Sequence, residues 1–278
     1  MINEDRLRRV ADEVTGVPGI EAVVLGGSRA RGTHHAGSDV DLGLYYEAAT
    51  LDVAALTRAA RGVVGAPVQV AGPGGWGPWV DGGAWLEVDG TAVDLILRDV
   101  ERVREQRDRA IRGEIGFHWQ LGHPLGFLDV TYAAEIATCR PLADPRRLVP
   151  QLRAGLDPYP APLRKALREN LSSAKFLMGG VAKATSRGDV GYVQLCCATA
   201  LMWCALSWHG EADVWVTNEK GLIPAVAWLP LDTGGFAEKA SAALAAIGAD
   251  LSADGLAAAV RDVSALVSDT RETLAVSA

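Results

Sequence analysis

The sequence predicts an α+β fold in two parts: a mixed sheet with helices over residues 1–140, and an all-helical part over residues 163–278. Three observations predict it. Alternating apolar residues and a two-residue hairpin signal are confined to the stretch before residue 100. Six of the 13 prolines fall between Pro141 and Pro162, and proline breaks helices and cannot donate to a ladder, so 141–162 reads as a linker. Beyond it only helical spacing recurs.

The elements follow in order. Asn3 can cap a first helix that carries Leu7, Val10, Ala11 and Val14 on one face. Residues 21–25 read as a strand running into Gly26-Gly27-Ser28, and residues 39–46 as a second strand. Residues 51–64 are helical in pattern, and 68–71 read as a short strand. Residues 85–88 and 91–97 flank Asp89-Gly90, a strong hairpin signal. A two-residue turn there places Trp85 opposite Asp94 and Glu87 opposite Ala92. A charged helix over 99–112 follows, and after the linker come helices over 164–185, 190–208, 236–247 and 254–274.

Composition narrows the function. Hydrophobic residues make up 49% and charged residues 22% of 278, as in an ordinary globular protein, so disorder is excluded for most of the chain. The net charge of −7 disfavours a long RNA or DNA partner, which needs a positive groove to neutralise phosphates. The run from Leu195 to Trp208 falls short of the roughly 18 residues of a membrane span and reads as a buried helix. The first ten residues are too charged for a signal peptide. Cys139, Cys196, Cys197 and Cys204 form no CxxC pair, so reduced cysteines in a cytoplasmic protein are expected.

The informative stretch is Gly26-Gly27-Ser28-Arg29, then, ten residues on from Ser28, Asp39-Val40-Asp41-Leu42. Glycines at the end of a strand let backbone amides approach an anion closely. Asp39 and Asp41 stand two apart on a strand and share a face. Adjacent carboxylates repel unless a cation intervenes, and a hard divalent ion, Mg²⁺ above all, answers that repulsion. Asp94 is a further lone carboxylate in an apolar strand, where burial without a partner is costly. Glu87 is its diagonal neighbour, either a fourth carboxylate at the site's edge or, more plainly, a solvated strand residue.

These residues resemble the signature of the DNA polymerase β-like nucleotidyltransferases. The likeness spans roughly residues 20–100, with Asp94 placed like that family's third carboxylate. A sheet domain followed by a helical, substrate-binding domain is similar to the antibiotic-modifying branch, the aminoglycoside and lincosamide nucleotidyltransferases. The resemblance implies transfer of a nucleoside monophosphate from an NTP, with ATP favoured, to a hydroxyl of a small-molecule acceptor, and release of pyrophosphate. Asp39, Asp41 and Asp94 would be the catalytic, metal-holding carboxylates for Mg²⁺. Gly27 and Ser28 would bind the β and γ phosphates. Arg31, sharing the loop with Arg29, and Lys220, from the helical part, would be nucleotide-binding cations. Alternatives in view are a protein-AMPylating enzyme and a non-catalytic nucleotide-sensing module, though such modules typically lose the carboxylates this chain keeps.

Weaker patterns have plainer explanations. Gly26-x-Ser28-x-Ala30 nearly matches a nucleophile elbow, but only one strand precedes it. Gly72-Pro73-Gly74-Gly75-Trp76-Gly77 matches G-x-G-x-x-G, yet Pro78 follows where a helix should open. It reads as a flexible loop, a lid at most, with Trp76 and Trp79 as stacking surfaces. Gly27-x4-Gly32 lacks the lysine of a P-loop, and His34 and His35 read as exposed loop residues. Trp203 and Trp208 have core spacing.

Overall fold

A computed structural model describes residues 2–35 and 37–276. The chain divides into two compact units: residues up to Ile111 together with Gly116–Pro158, and Arg112–Ile115 together with the chain from Tyr159 onward.

The first unit opens with helix α1 (Glu4–Thr15) and strand β1 (Ile20–Leu25). The Asn3 side chain accepts from the Arg6 amide at 2.8 Å, and Leu7, Val10, Ala11 and Val14 are buried on the expected face. A single helical turn, α2 (Gly27–Ala30), leads to β2 (Val40–Tyr46) and α3 (Val53–Val64), whose amide at Ala55 is capped by Asp52. The hairpin β3 (Gly83–Val88) and β4 (Thr91–Asp99) follows, then α4 (Val100–Ile111). Trp85 pairs with Asp94 and Glu87 with Ala92, as the Asp89-Gly90 turn predicts. Both turn residues have positive φ, +52° and +71°, which is what the tight hairpin turn requires.

The rest of this unit is β5 (Phe117–His118), β6 (Phe127–Leu128), α5 (Thr131–Thr138), β7 (Arg140–Ala143) and α6 (Leu148–Arg153). The main sheet runs β3-β4-β2-β1-β7, with β2 and β4 parallel and the other pairs antiparallel. Val23, Leu25, Leu42, Leu44, Val93, Leu95, Ala84 and Leu86 form one face and pack with α1 and α3 into the core. Period-two alternation therefore sends Asp41 and Asp94 to the other face.

One expectation is corrected. No strand forms over 68–71; only Ala71 makes a bridge, to Gly83, before the chain turns at Gly72. The stretch 141–162, read as a linker with at most short helical pieces, holds the short α6, and its first residues complete β7. Pro141 is tolerated because β7 lies at the sheet edge, where a missing N–H costs little.

The second unit is built, among the described residues, from α7 (Ala161–Glu169), α8 (Leu171–Thr185), α9 (Val190–Glu211), α10 (Leu222–Ala225), α11 (Phe236–Ala246) and α12 (Ala253–Val276). The helix expected over 164–185 is interrupted at Asn170, a poor helix former. Helix α9 is long and apolar enough to cross a membrane by length and composition, more so than the run from Leu195 suggested. Here it is the central packing element, against which α7, α8, α10, α11 and α12 lie. Cys196, Cys197 and Cys204 are buried within it, and they and Cys139 are unbridged.

Candidate active site

Parallel pairing of β2 with β4 puts Asp41 directly beside Asp94. Asp39 stands just before β2, on the same side of the alternation. One carboxylate oxygen from each of Asp39, Asp41 and Asp94 lies within 4.8 Å of the others. Asp39 is exposed and the other two are half-buried. Burial raises the Asp41 carboxyl from the ordinary range to about 6, and the negative charges of Asp39 and Asp94 add to the effect. The Arg31 guanidinium acts in the opposite sense. Three anions held this close are strained against one another without a counter-charge.

The glycine turn is locked to the middle acid. The Gly26 amide donates to the Asp41 carbonyl at 2.8 Å. Gly27 has φ +59°, and a Cβ added there would fall 1.8 Å from Asp41 Oδ2. Only glycine lets the turn lie against that carboxylate. Ser28 is half-buried on α2, and its carbonyl accepts from the Thr33 amide at 3.0 Å.

Arg29 turns back onto the backbone of its own loop. Its Nε donates to the Asp39 carbonyl at 2.9 Å and its Nη2 to the Ser38 carbonyl at 2.8 Å. It is a brace for the loop between the turn and the first acid. Arg31 is exposed on that loop, as are His34 and His35. The Nδ1 of His35 accepts from the Gly37 amide at 3.2 Å, an ordinary loop contact. Lys220 lies in the second unit, exposed, with its amide donating to Asn218 Oδ1 at 2.7 Å just before α10.

On the other side of Asp94, Trp85 stands 70% exposed, and its ring stacks on Trp76 at 4.4 Å and 17°. Glu87 is exposed on the same face, two residues along. The glycine-rich loop is tied to β2 through Asp81. Buried Asp81 accepts from the Tyr46 hydroxyl at 2.7 Å and from the Gly74 amide at 2.8 Å. Trp79 stacks within the protein: its ring lies on His118 at 3.8 Å, and its carbonyl accepts from the Tyr132 hydroxyl at 2.7 Å.

Sequence reasoning missed the pair that supports this face. Arg98 lies four residues beyond Asp94 on β4, therefore on the same face, and is 5% exposed. Its Nε and Nη2 donate to the two Glu135 oxygens at 2.6 and 2.7 Å, and its Nη1 to the carbonyls of Val80 and Leu97, both at 3.0 Å. The fork-to-fork geometry pins α5 to β4. The signal that could have revealed Arg98 was a charge in phase with Asp94 on an apolar strand.

Residues 7–70 match the family described as "Nucleotidyltransferase domain", a segment that contains the turn, Asp39 and Asp41. A nucleotidyltransferase-like protein from Exiguobacterium sibiricum 255-15 is similar over 96% of this chain and 74% of its own, at 12% identity and a TM-score of 0.47. No curated protein matches the sequence.

Proposed function

We propose that this chain, whose N-terminal segment carries a nucleotidyltransferase domain, moves a nucleoside monophosphate from an NTP, ATP by preference, to a hydroxyl of a small antibiotic-like acceptor and releases pyrophosphate. The observation that carries the reading is the convergence of Asp39, Asp41 and Asp94 within 4.8 Å, beside a turn that admits no side chain at Gly27.

The donor set fits a hard divalent cation: three carboxylates, no soft ligand, and a middle acid whose affinity for protons is raised by burial and then by the neighbouring carboxylates. Asp39, Asp41 and Asp94 would hold Mg²⁺, which supplies charge neutralisation at the triphosphate. Gly27 and Ser28 carry the phosphates that leave, and the exposed Arg31 adds positive charge to the same loop. Asp94, on the side away from the turn, takes the acceptor's proton as its oxygen bonds to the α-phosphorus and the bond to pyrophosphate breaks. Positioning and electrostatics account for most of the acceleration in this chemistry.

The test is pyrophosphate release from a panel of NTPs with Mg²⁺ and a library of aminoglycosides and lincosamides. Release that needs both metal and acceptor, and that falls at least about a thousandfold in Asp41→Asn, supports the reading. Turnover unchanged in Asp41→Asn would overturn it.

A further inference from the structure

The pieces of the site lie across the sheet in a fixed order. The glycine turn ends β1, Asp39 and Asp41 belong to β2, Asp94 to β4, and Trp85 to β3. Neighbouring strands are about 5 Å apart. Because Trp85 pairs with Asp94, its indole leaves the sheet on the carboxylates' face, one strand further from the turn.

We propose that Trp85, backed by Trp76, is the platform for the acceptor, and that it takes a saturated, hydroxyl-bearing ring by its C–H face. The inference rests on the nucleotidyl-transfer reading and specifies where its second substrate sits.

Three arguments converge. The first is the direction of attack. In nucleotidyl transfer the entering and leaving oxygens lie in line on opposite sides of phosphorus. With pyrophosphate drawn toward Gly27 and Ser28 and phosphorus over the acids, the entering hydroxyl arrives from the β4–β3 side. The nucleoside hangs from an oxygen off that axis, so the base leaves sideways and does not compete for the indole.

The second is construction. A large exposed apolar face next to polar groups is a mark of a binding surface. Trp85 is held there. Trp76 stacks behind it and lies over Gly83, where an added Cβ would fall 2.9 Å from Trp76 Cζ3. The Trp76 amide donates to the Asp81 carbonyl at 2.8 Å, and its own carbonyl accepts from Gln120 Nε2 at 2.7 Å. The indole pair is therefore pre-positioned before any ligand arrives.

The third is chemistry. A flat indole face flanked on one side by Asp94 and, two residues along, by Glu87 suits a ring with an apolar face and hydroxyls at its rim. The carboxylates accept from those hydroxyls.

The experiment uses the full chain loaded with Mg²⁺ and AMPCPP, whose α–β linkage does not cleave. Binding of kanamycin, lincomycin and methyl α-glucopyranoside is followed by saturation-transfer NMR and titration. We expect a ring compound to bind the loaded wild type, to bind Trp85→Ala at least tenfold more weakly, and to bind Trp85→Phe within threefold of wild type. AMPCPP affinity stays within twofold in both variants. Ring affinity unchanged in Trp85→Ala overturns the platform, as does failure of every ring to bind the loaded wild type. A selective loss of AMPCPP binding in Trp85→Ala overturns it too, by giving the indole to the base. Wild type that does not bind AMPCPP, or Asp41→Asn that binds Mg²⁺-AMPCPP undiminished, removes the underlying reading instead, and is scored without any acceptor present.

Discussion

The Arg29 guanidinium grips the backbone carbonyl of Asp39 at 2.9 Å, so the glycine turn and the first acid of the triad are tied into one piece. The second bond, to the Ser38 carbonyl, makes the grip two-pointed. Arg29→Ala should lower Mg²⁺ affinity about tenfold or more, the usual effect of losing a group that orients a ligand, while the melting temperature changes little. Isothermal titration of Mg²⁺ with a circular-dichroism melt checks both. Equal Mg²⁺ affinity would remove Arg29 from the site's support.

Gly27→Ala should be more damaging than its size suggests. The new methyl would meet Asp41 Oδ2, and φ +59° is unfavourable for alanine. We expect a loss of about 1–3 kcal/mol in urea unfolding, together with loss of metal-dependent nucleotide binding. Wild-type stability would mean that the turn relaxes away from Asp41.

Asp41 sets a pH dependence. Its folded value, about 6, lies above the ordinary aspartate value of 3.8. The folded state therefore holds this proton more tightly than the unfolded state. Its contribution favours folding at low pH, declines as pH rises from about 4 to 6, and is level above. Metal-free Asp41→Asn should accordingly be more stable than wild type at pH 8, by on the order of 1–3 kcal/mol, with the gap closing toward pH 5. Mg²⁺ should stabilise wild type at pH 8 and not the variant. Thermal melts at the two pH values decide it; a variant less stable than wild type at pH 8 contradicts the repulsion.

Removing Glu135 strands the buried Arg98 charge. Glu135→Ala should cost about 3–5 kcal/mol, and replacing both members with apolar residues should restore much of the loss. Chemical denaturation of the single and double variants measures this. A mild single variant would mean that the carbonyls of Val80 and Leu97 suffice for Arg98.

In the second unit His209 is buried, and its Nδ1 donates to the Ala205 carbonyl at 2.8 Å. Burial lowers its pKa below 6.5. A base held neutral in this way binds fewer protons folded than unfolded, so stability is lost as pH falls below 6.5. His209→Gln should flatten that acid limb; the same slope in the variant would place the loss elsewhere.

Much of the first unit was legible because local signals governed it. Period-two spacing put Asp39 and Asp41 on one face, and Asp89-Gly90 fixed the register that brings Trp85 to Asp94. The rest depended on partners remote in sequence. Pro141 argued against a strand until the sheet edge was known. Trp79 and Trp76 look alike in a glycine-rich loop, but one is consumed by His118 and the other by Trp85. The ligand of Arg29 is backbone, which no residue pattern announces.

Strand β7 has a consequence for how the molecule is made. The sheet that seats the acids is finished by residues 140–143, long after the acids themselves. During synthesis β1 waits with an open hydrogen-bonding edge until that segment clears the ribosome, and open edges recruit stray strands. A fragment ending before residue 140 would carry all three carboxylates and still be prone to precipitate.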